Sequence, residues 1–301
     1  MEGNRSGFEA SAGAAAGLAG TEPSGSGAGA SGYFGPDSML RRINGERALV
    51  LSGPRALLMQ AAHPLAVAGL LAHTGSLEEP YERLKRVAEV LSIIGYGTRE
   101  EADEVTAKVR AMHRTVRGEL SAAAGPFPAG TPYRADDPEL LLWILFTLVD
   151  SGTVVYERFV ADLDEEERAA YWSDYRVIGR LFGLRDSEMP ATLADLRDYR
   201  REMLEGDRLV VTDWSRSRAR EIVLDPPAPL LARPMVEVMN FVTIALLPDP
   251  IRRQYGFAPL PTPLARRTIV AAGAEYVKRV VIPLLPDGLR LVPQARAAQA
   301  A

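Results

Sequence analysis

On a helical wheel at about 100° per residue, residues 102–120 separate into two faces. Ala102, Val105, Val109, Met112, Val116 and Leu120 form an apolar stripe, and Arg110, Arg114 and Arg117 form a basic stripe beside it. His113 falls on the seam between them. Thr98 followed by Glu101 is a capping-box pattern, so a helix is expected to open there and run through about residue 123.

The same helical period governs most of the chain, with start signals that can be named. Asp137 and Pro138 open a helix through about Phe159, and Asp164 heads "EEERAAYWSDYRVIGRLFG", which stops at Gly183. Thr192 with Asp195 heads the next helix. Residues 56–72, "ALLMQAAHPLAVAGLLA", are apolar but shorter than the about 20 residues of a spanning helix, and Gln60, His63 and Pro64 interrupt them. They predict a buried helix pair broken before Pro64 and no transmembrane span.

Few stretches alternate with period two, so the fold class is all-α. Connectors rich in Pro and Gly fall at 125–133, 225–229 and 247–263, and no repeat of fixed period occurs. The expected organisation is a disordered tail over 1–36, one compact multi-helix domain over 37–290, and a flexible C-terminus over 291–301. The tail is dominated by Gly, Ala and Ser, a composition that buries too little apolar surface to offset its ordering entropy. It lacks a basic start and a continuous apolar run, so the expected location is cytoplasmic.

Composition narrows the chemistry. The 301 residues are 47% hydrophobic and 25% charged, as in soluble globular proteins. A net charge of -4 and the lack of a basic tail argue against a nucleic-acid partner. There is no cysteine, which excludes disulfides, thiolate nucleophiles, iron–sulfur clusters and thiolate-ligated haem. Any metal is left with nitrogen and oxygen donors.

Two of the three histidines, His113 and His63, have two readings. His113 on its seam suits a haem, which asks for an imidazole for the iron, apolar walls for the ring and cations for the propionates. Taken from this segment alone, a helical histidine is more often a packing residue beside a solvated basic face. His63 stands at the Pro64 break, either as a functional group in the core or bonded to a carbonyl that the proline frees. His73, in "LLAHTGS", reads as a helix C-terminal residue before the stop at Gly75. No HExxH spacing occurs.

Asp150 lies in the apolar run "LLLWILFTLVDSGTVVYERF" and requires a partner, for which an arginine is the natural choice. It is either half of a structural ion pair or a pocket group. Trp143 and Tyr156 on the same helix are core residues or walls of a haem pocket.

Four segments taken in order, "SGPRALLMQAAHPLAVAGLLAHTG", "YERLKRVAEVLSIIGYGTREEADEVTAKVRAMHRTVRG", "YRADDPELLLWILFTLVDSGTVVYERF" and "LPDPIRRQYG", carry a resemblance. Together they resemble the catalytic-domain family shared by rubber oxygenase, the latex clearing protein, and the endoplasmic-reticulum-bound oxygenase of mycophenolic acid biosynthesis. The resemblance implies a globin-like helical core holding haem b, and an oxygenase that uses dioxygen to cleave a carbon–carbon double bond in a prenyl-type chain. It implies His113 as the proximal iron ligand, Arg83 as a residue lining the haem pocket, and His63 as a histidine near that pocket.

Against the rubber-oxygenase pattern, Val87 stands in place of a threonine and Arg86 in place of a lysine that can cap the iron. A guanidinium is a poor iron ligand and valine offers no hydroxyl. The expected protein is therefore a haem b oxygenase acting with dioxygen on a small apolar substrate. His113 would bind the iron, Arg110 and Arg117 the propionates, and Arg83, His63 and Asp150 would serve the reaction. The alternatives are a non-catalytic helical protein that binds haem or an apolar ligand, and a non-haem metal site using His63, His113 and a carboxylate.

Overall fold

The computed structural model describes residues 32–72, 80–224, 233–257 and 272–300. It is helical throughout apart from one two-stranded sheet. In chain order the elements are α1 (Met39–Asn44), a 3-10 turn (Arg47–Leu51), α2 (Ser52–Gln60), α3 (Pro64–Ala72), α4 (Pro80–Tyr96) and α5 (Arg99–Thr115). Strands β1 (Arg117–Glu119) and β2 (Pro132–Arg134) follow, then α6 (Pro138–Phe159), α7 (Glu165–Leu181) and α8 (Leu193–Glu205). The remainder includes α9 (Asp213–Leu224), α10 (Arg233–Leu246), α11 (Asp249–Gln254), α12 (Asp287–Arg290) and α13 (Pro293–Ala300). A π-helical turn, Val277–Val281, precedes α12.

Local chemistry sets most helix starts. Thr98 and Glu101, Asp164 and Glu167, and Thr192 and Asp195 each form the reciprocal side-chain and backbone bonds of a capping box at the heads of α5, α7 and α8. Asp137 accepts from the Glu139 amide with Pro138 at the first helical position, where a missing N–H costs nothing. After α7, Gly183 takes φ +103°, a left-handed conformation that suits glycine and stops the helix. At Gly152 an added Cβ would stand 2.6 Å from the Tyr171 hydroxyl, so glycine lets α6 and α7 approach closely.

The core is organised on α6, whose most extensive packing is against α2. By length and composition α6 could cross a membrane, but 61% of its apolar window is buried inside the protein. One charged residue ties this centre together. The Arg55 side chain on α2 is 1% exposed and donates to Asp150 Oδ2 at 2.8 Å, to Ser151 Oγ at 2.6 Å and to the Leu246 carbonyl at 2.9 Å. Arg200 of α8 reaches the other Asp150 oxygen at 3.2 Å. Four helices thus converge on one ion pair, and the partner expected for Asp150 is an arginine.

Three expectations are corrected. The helix that opens at Thr98 ends at Thr115, eight residues before the expected 123, because Val116 turns extended and Gly118 pairs with Tyr133 across the sheet. An added Cβ at Gly118 would stand 2.5 Å from the Tyr133 hydroxyl, so a tertiary contact selects strand over helix. The tail does not reach residue 36: Phe34 is buried, and the Tyr33 hydroxyl donates to Asp103 at 2.7 Å. The rest of the expected tail lies outside the described residues.

The third correction concerns the C-terminus, which is a helix, α13, packed against α4 instead of a flexible end. Its anchor is the Arg290–Glu46 pair, in which Glu46 is only 3% exposed, together with the Val292 amide donating to the Gly45 carbonyl at 2.9 Å. Arg47 adds a bond to the Leu291 carbonyl at 2.9 Å.

Removing one partner of a buried ion pair leaves the other charge desolvated. Arg55→Met is expected to lower stability by about 3 kcal/mol in urea unfolding. The Arg55→Met/Asp150→Leu double variant is expected to recover part of that loss, since it also removes the carboxylate that Arg200 alone would be left to pair.

Candidate functional site

His63 is set by the break between two helices. Chain turns close α2, with the His63 amide donating to the Gln60 carbonyl at 3.1 Å, and the His63 carbonyl then accepts from Val67 as the first bond of α3. Pro64 begins α3 and forgoes only an amide that a helix start leaves unpaired. The expected break before Pro64 is present, and the His63 imidazole is enclosed there. It is 1% exposed and its Nδ1 has no hydrogen-bond partner.

Two neighbouring segments wall it in. The Phe127 ring lies 5.5 Å from the imidazole at a 42° tilt, and the Val210 amide donates to the Ala62 carbonyl at 2.8 Å. Burial, with help from the Arg208 guanidinium, pushes the His63 pKa down to about 4, while Asp137 and an interaction of the ring with its own backbone oppose the shift. The ring is therefore neutral at pH 7, as an iron ligand or a hydrogen-bond acceptor must be.

His113 is half-buried in the last turn of α5, and its carbonyl accepts from Val116 at 3.1 Å. The apolar stripe expected around it is only partly inward: Ala102 and Val105 are buried, whereas Met112 is 54% exposed. The arginines diverge. Arg110 donates to the Leu181 carbonyl and so caps the end of α7. Arg117 stands on β1, off the helix, and donates to the Arg114 carbonyl. The stripe drawn on the wheel is thus split between two structural contacts.

What the fold does bring together is α3 and the hairpin that follows α5. An added Cβ at Gly69 of α3 would lie 3.5 Å from the Tyr133 ring and 3.7 Å from Val116, so the hairpin after His113 packs directly on the helix after His63. Arg83 lies on α4, with its side chain outside the described ones. On the same helix Arg86 is exposed and Val87 half-buried. His73 lies outside the described residues. Both oxygens of Asp150 are taken by Arg55 and Arg200.

The sequence reading missed three participants. Phe127 sits in a Pro/Gly connector with no periodic signal, and Arg208, ion-paired with Glu139, acts on His63 from 145 residues away in the chain. Trp143 was legible as core, and it is 0% exposed, but its Nε1 has no partner, which no pattern reveals. Tyr156 accepts from Arg42 Nε at 3.2 Å.

Among the described residues no group of three or more His, Asp and Glu converges as a metal set. The three-ligand non-haem expectation therefore has no site there. A haem requires only one imidazole from the protein, and the donor chemistry fits it: histidine nitrogen without competing thiolate, including one ring held neutral by burial.

The fold and this site define an all-α domain built around a broken helix pair and a buried neutral imidazole. Residues 40–279 match the family model "ER-bound oxygenase mpaB/B'/Rubber oxygenase, catalytic domain". The chain belongs to this family of oxygenase domains. Neither the curated proteins nor the solved structures gave a match.

Because native His63 titrates near 4 and an unfolded histidine near 6.5, the unfolded chain binds more protons between those values. This contribution to stability is complete above pH 6.5 and falls as pH drops toward 4, by about 3 kcal/mol in total. In His63→Leu, unfolding curves collected from pH 7 to pH 4 should lose about that much of the wild-type decline.

Proposed function

We propose that this protein is a haem b-dependent oxygenase that uses dioxygen on a small apolar, prenyl-type olefinic substrate. The observation that carries the reading is the family match, which spans 40–279 and so includes His63, Arg83 and His113. His113 would hold the iron, since it stands at the end of an amphipathic helix where an imidazole can leave the helix surface. A bound haem would supply the iron centre at which dioxygen is activated.

The protein's own residues would orient and exclude. The hairpin between α5 and α6 packs Tyr133 and Val116 on Gly69, fixing the end of α5 that carries His113. His63, neutral and desolvated, would accept or donate one hydrogen bond without bringing a charge into an apolar pocket. Arg83 would lie on the facing helix α4. Arg86 and Val87 supply neither the lysine nor the threonine of the rubber-oxygenase pattern, so the chemistry would proceed without those two groups.

Expression with haem supply should give protein with an intense Soret band, and His113→Ala should lose or alter its axial-ligand spectrum. A wild-type protein that takes up no haem overturns the cofactor assignment. An unchanged His113→Ala spectrum overturns the ligand assignment alone. Oxygen consumption with olefinic substrates then separates an oxygenase from a protein that only binds haem.

A further inference from the structure

Five of the nine large apolar side chains exposed among the described residues fall in the chain from α10 onward: Val238, Tyr276, Val280, Leu284 and Leu289. Three of them share one side of one element. Residues 272–284 are helical, with the π turn Val277–Val281 in the middle. An α-helical turn takes about 3.6 residues and a π turn, with its i→i+5 bonds, takes more. Tyr276, Val280 and Leu284, spaced by four across both kinds of turn, therefore return to the same face.

Other positions of the run hold it to the protein. Ala274 and Val277 lie in a small apolar cluster with Val155 and Phe159 of α6, and Ile282 is buried in the main core. Lys278 donates to the Glu157 carbonyl at 3.2 Å and pairs with Asp162. The stripe is thus turned away from α6, with Leu284 78% exposed. Beside it, Leu49 and Leu51 of the 3-10 turn pack on the same small cluster, and Val50 between them is exposed. Single exposed apolar residues need no explanation, but a contiguous stripe marks a surface that meets something.

Charge says what it meets. Residues 233–301 carry nine Lys and Arg against four Asp and Glu, a net +5, whereas residues 1–232 carry 26 against 35, a net -9. Beside the stripe, the Arg279 side chain is exposed and paired with Glu275 on its own helix, a pairing that water screens. A second copy seated face to face would set two net-positive segments against each other. An anionic lipid surface offers apolar depth and negative charge together. We propose that Tyr276, Val280 and Leu284 form a face that docks this protein on an anionic lipid surface. Tyrosine suits the headgroup level, and valine and leucine suit the acyl boundary. The docking needs no cofactor and is independent of the oxygenase reading.

The test uses the full chain and vesicles of phosphatidylcholine, alone or with an equal part of phosphatidylserine. Wild type should sediment with the mixed vesicles, with partitioning about tenfold weaker on phosphatidylcholine alone and falling as salt rises. Val280→Ser/Leu284→Ser should weaken partitioning at least about tenfold, since two aliphatic side chains no longer leave water. Arg279→Glu should weaken it on the mixed vesicles and not on phosphatidylcholine. Met112→Ser, at an exposed apolar residue of α5, should bind as wild type. All these positions are exposed, so the variants should unfold as wild type does.

The chain has no cysteine, so Leu284→Cys takes a single environment-sensitive fluorophore. Its emission should shift to the blue on the mixed vesicles, whereas the same label at Met112→Cys should not respond. Wild type that binds neither vesicle overturns the proposal, as does equal partitioning on both lipids or undiminished binding by the double serine variant. A dimer that the double variant abolishes, in a protein that ignores vesicles, assigns the face to a second copy and equally overturns it.

Discussion

The buried guanidinium of Arg55 is the interaction on which the arrangement of this protein depends. Arginine cannot shed its charge, so enclosing it obliges the fold to surround it with acceptors. Asp150 and Ser151 from α6, the last carbonyl of α10 and, through Asp150, Arg200 of α8 meet that demand. An ion pair of this kind adds little net stability over a hydrophobic substitute, but it admits one alignment of the helices and penalises the others. It fixes the antiparallel register of α2 on α6, and that register sets which residues lie opposite the break at Pro64.

The break itself encloses a polar side chain. Ending α2 at Gln60 and restarting at Pro64 turns His63 inward, and the hairpin between α5 and α6 then folds Phe127 over it and Tyr133 onto α3. Two buried side chains, His63 and Trp143, each carry a polar atom without a hydrogen-bond partner. Sequences tolerate such groups at sites that bind something, and the surrounding core supplies the stability that offsets them.

Much of this was legible in advance wherever the cause is local. Capping residues set the starts of α5, α6, α7 and α8, Gly183 sets the stop of α7, and Pro64 sets the break, because each acts on backbone groups within four residues of itself. The wheel over 102–120 failed from Val116 onward, because Gly118 lies under Tyr133, and a contact 15 residues away outweighed the weak helical preference of that stretch. The basic stripe failed with it: Arg110 found the end of α7 and Arg117 the end of α5.

By itself the sequence determined the all-α class, most helix boundaries, the absence of thiol chemistry and the family, because periodicity, caps and ordered motifs are written in neighbouring residues. Only the tertiary structure decided that Asp150 is spent on two arginines, that the C-terminal helix is strapped to Glu46, and that His63 is neutral beneath Phe127. Those outcomes turn on desolvation and on partners far away in the chain, and neither is encoded at the residue they act upon.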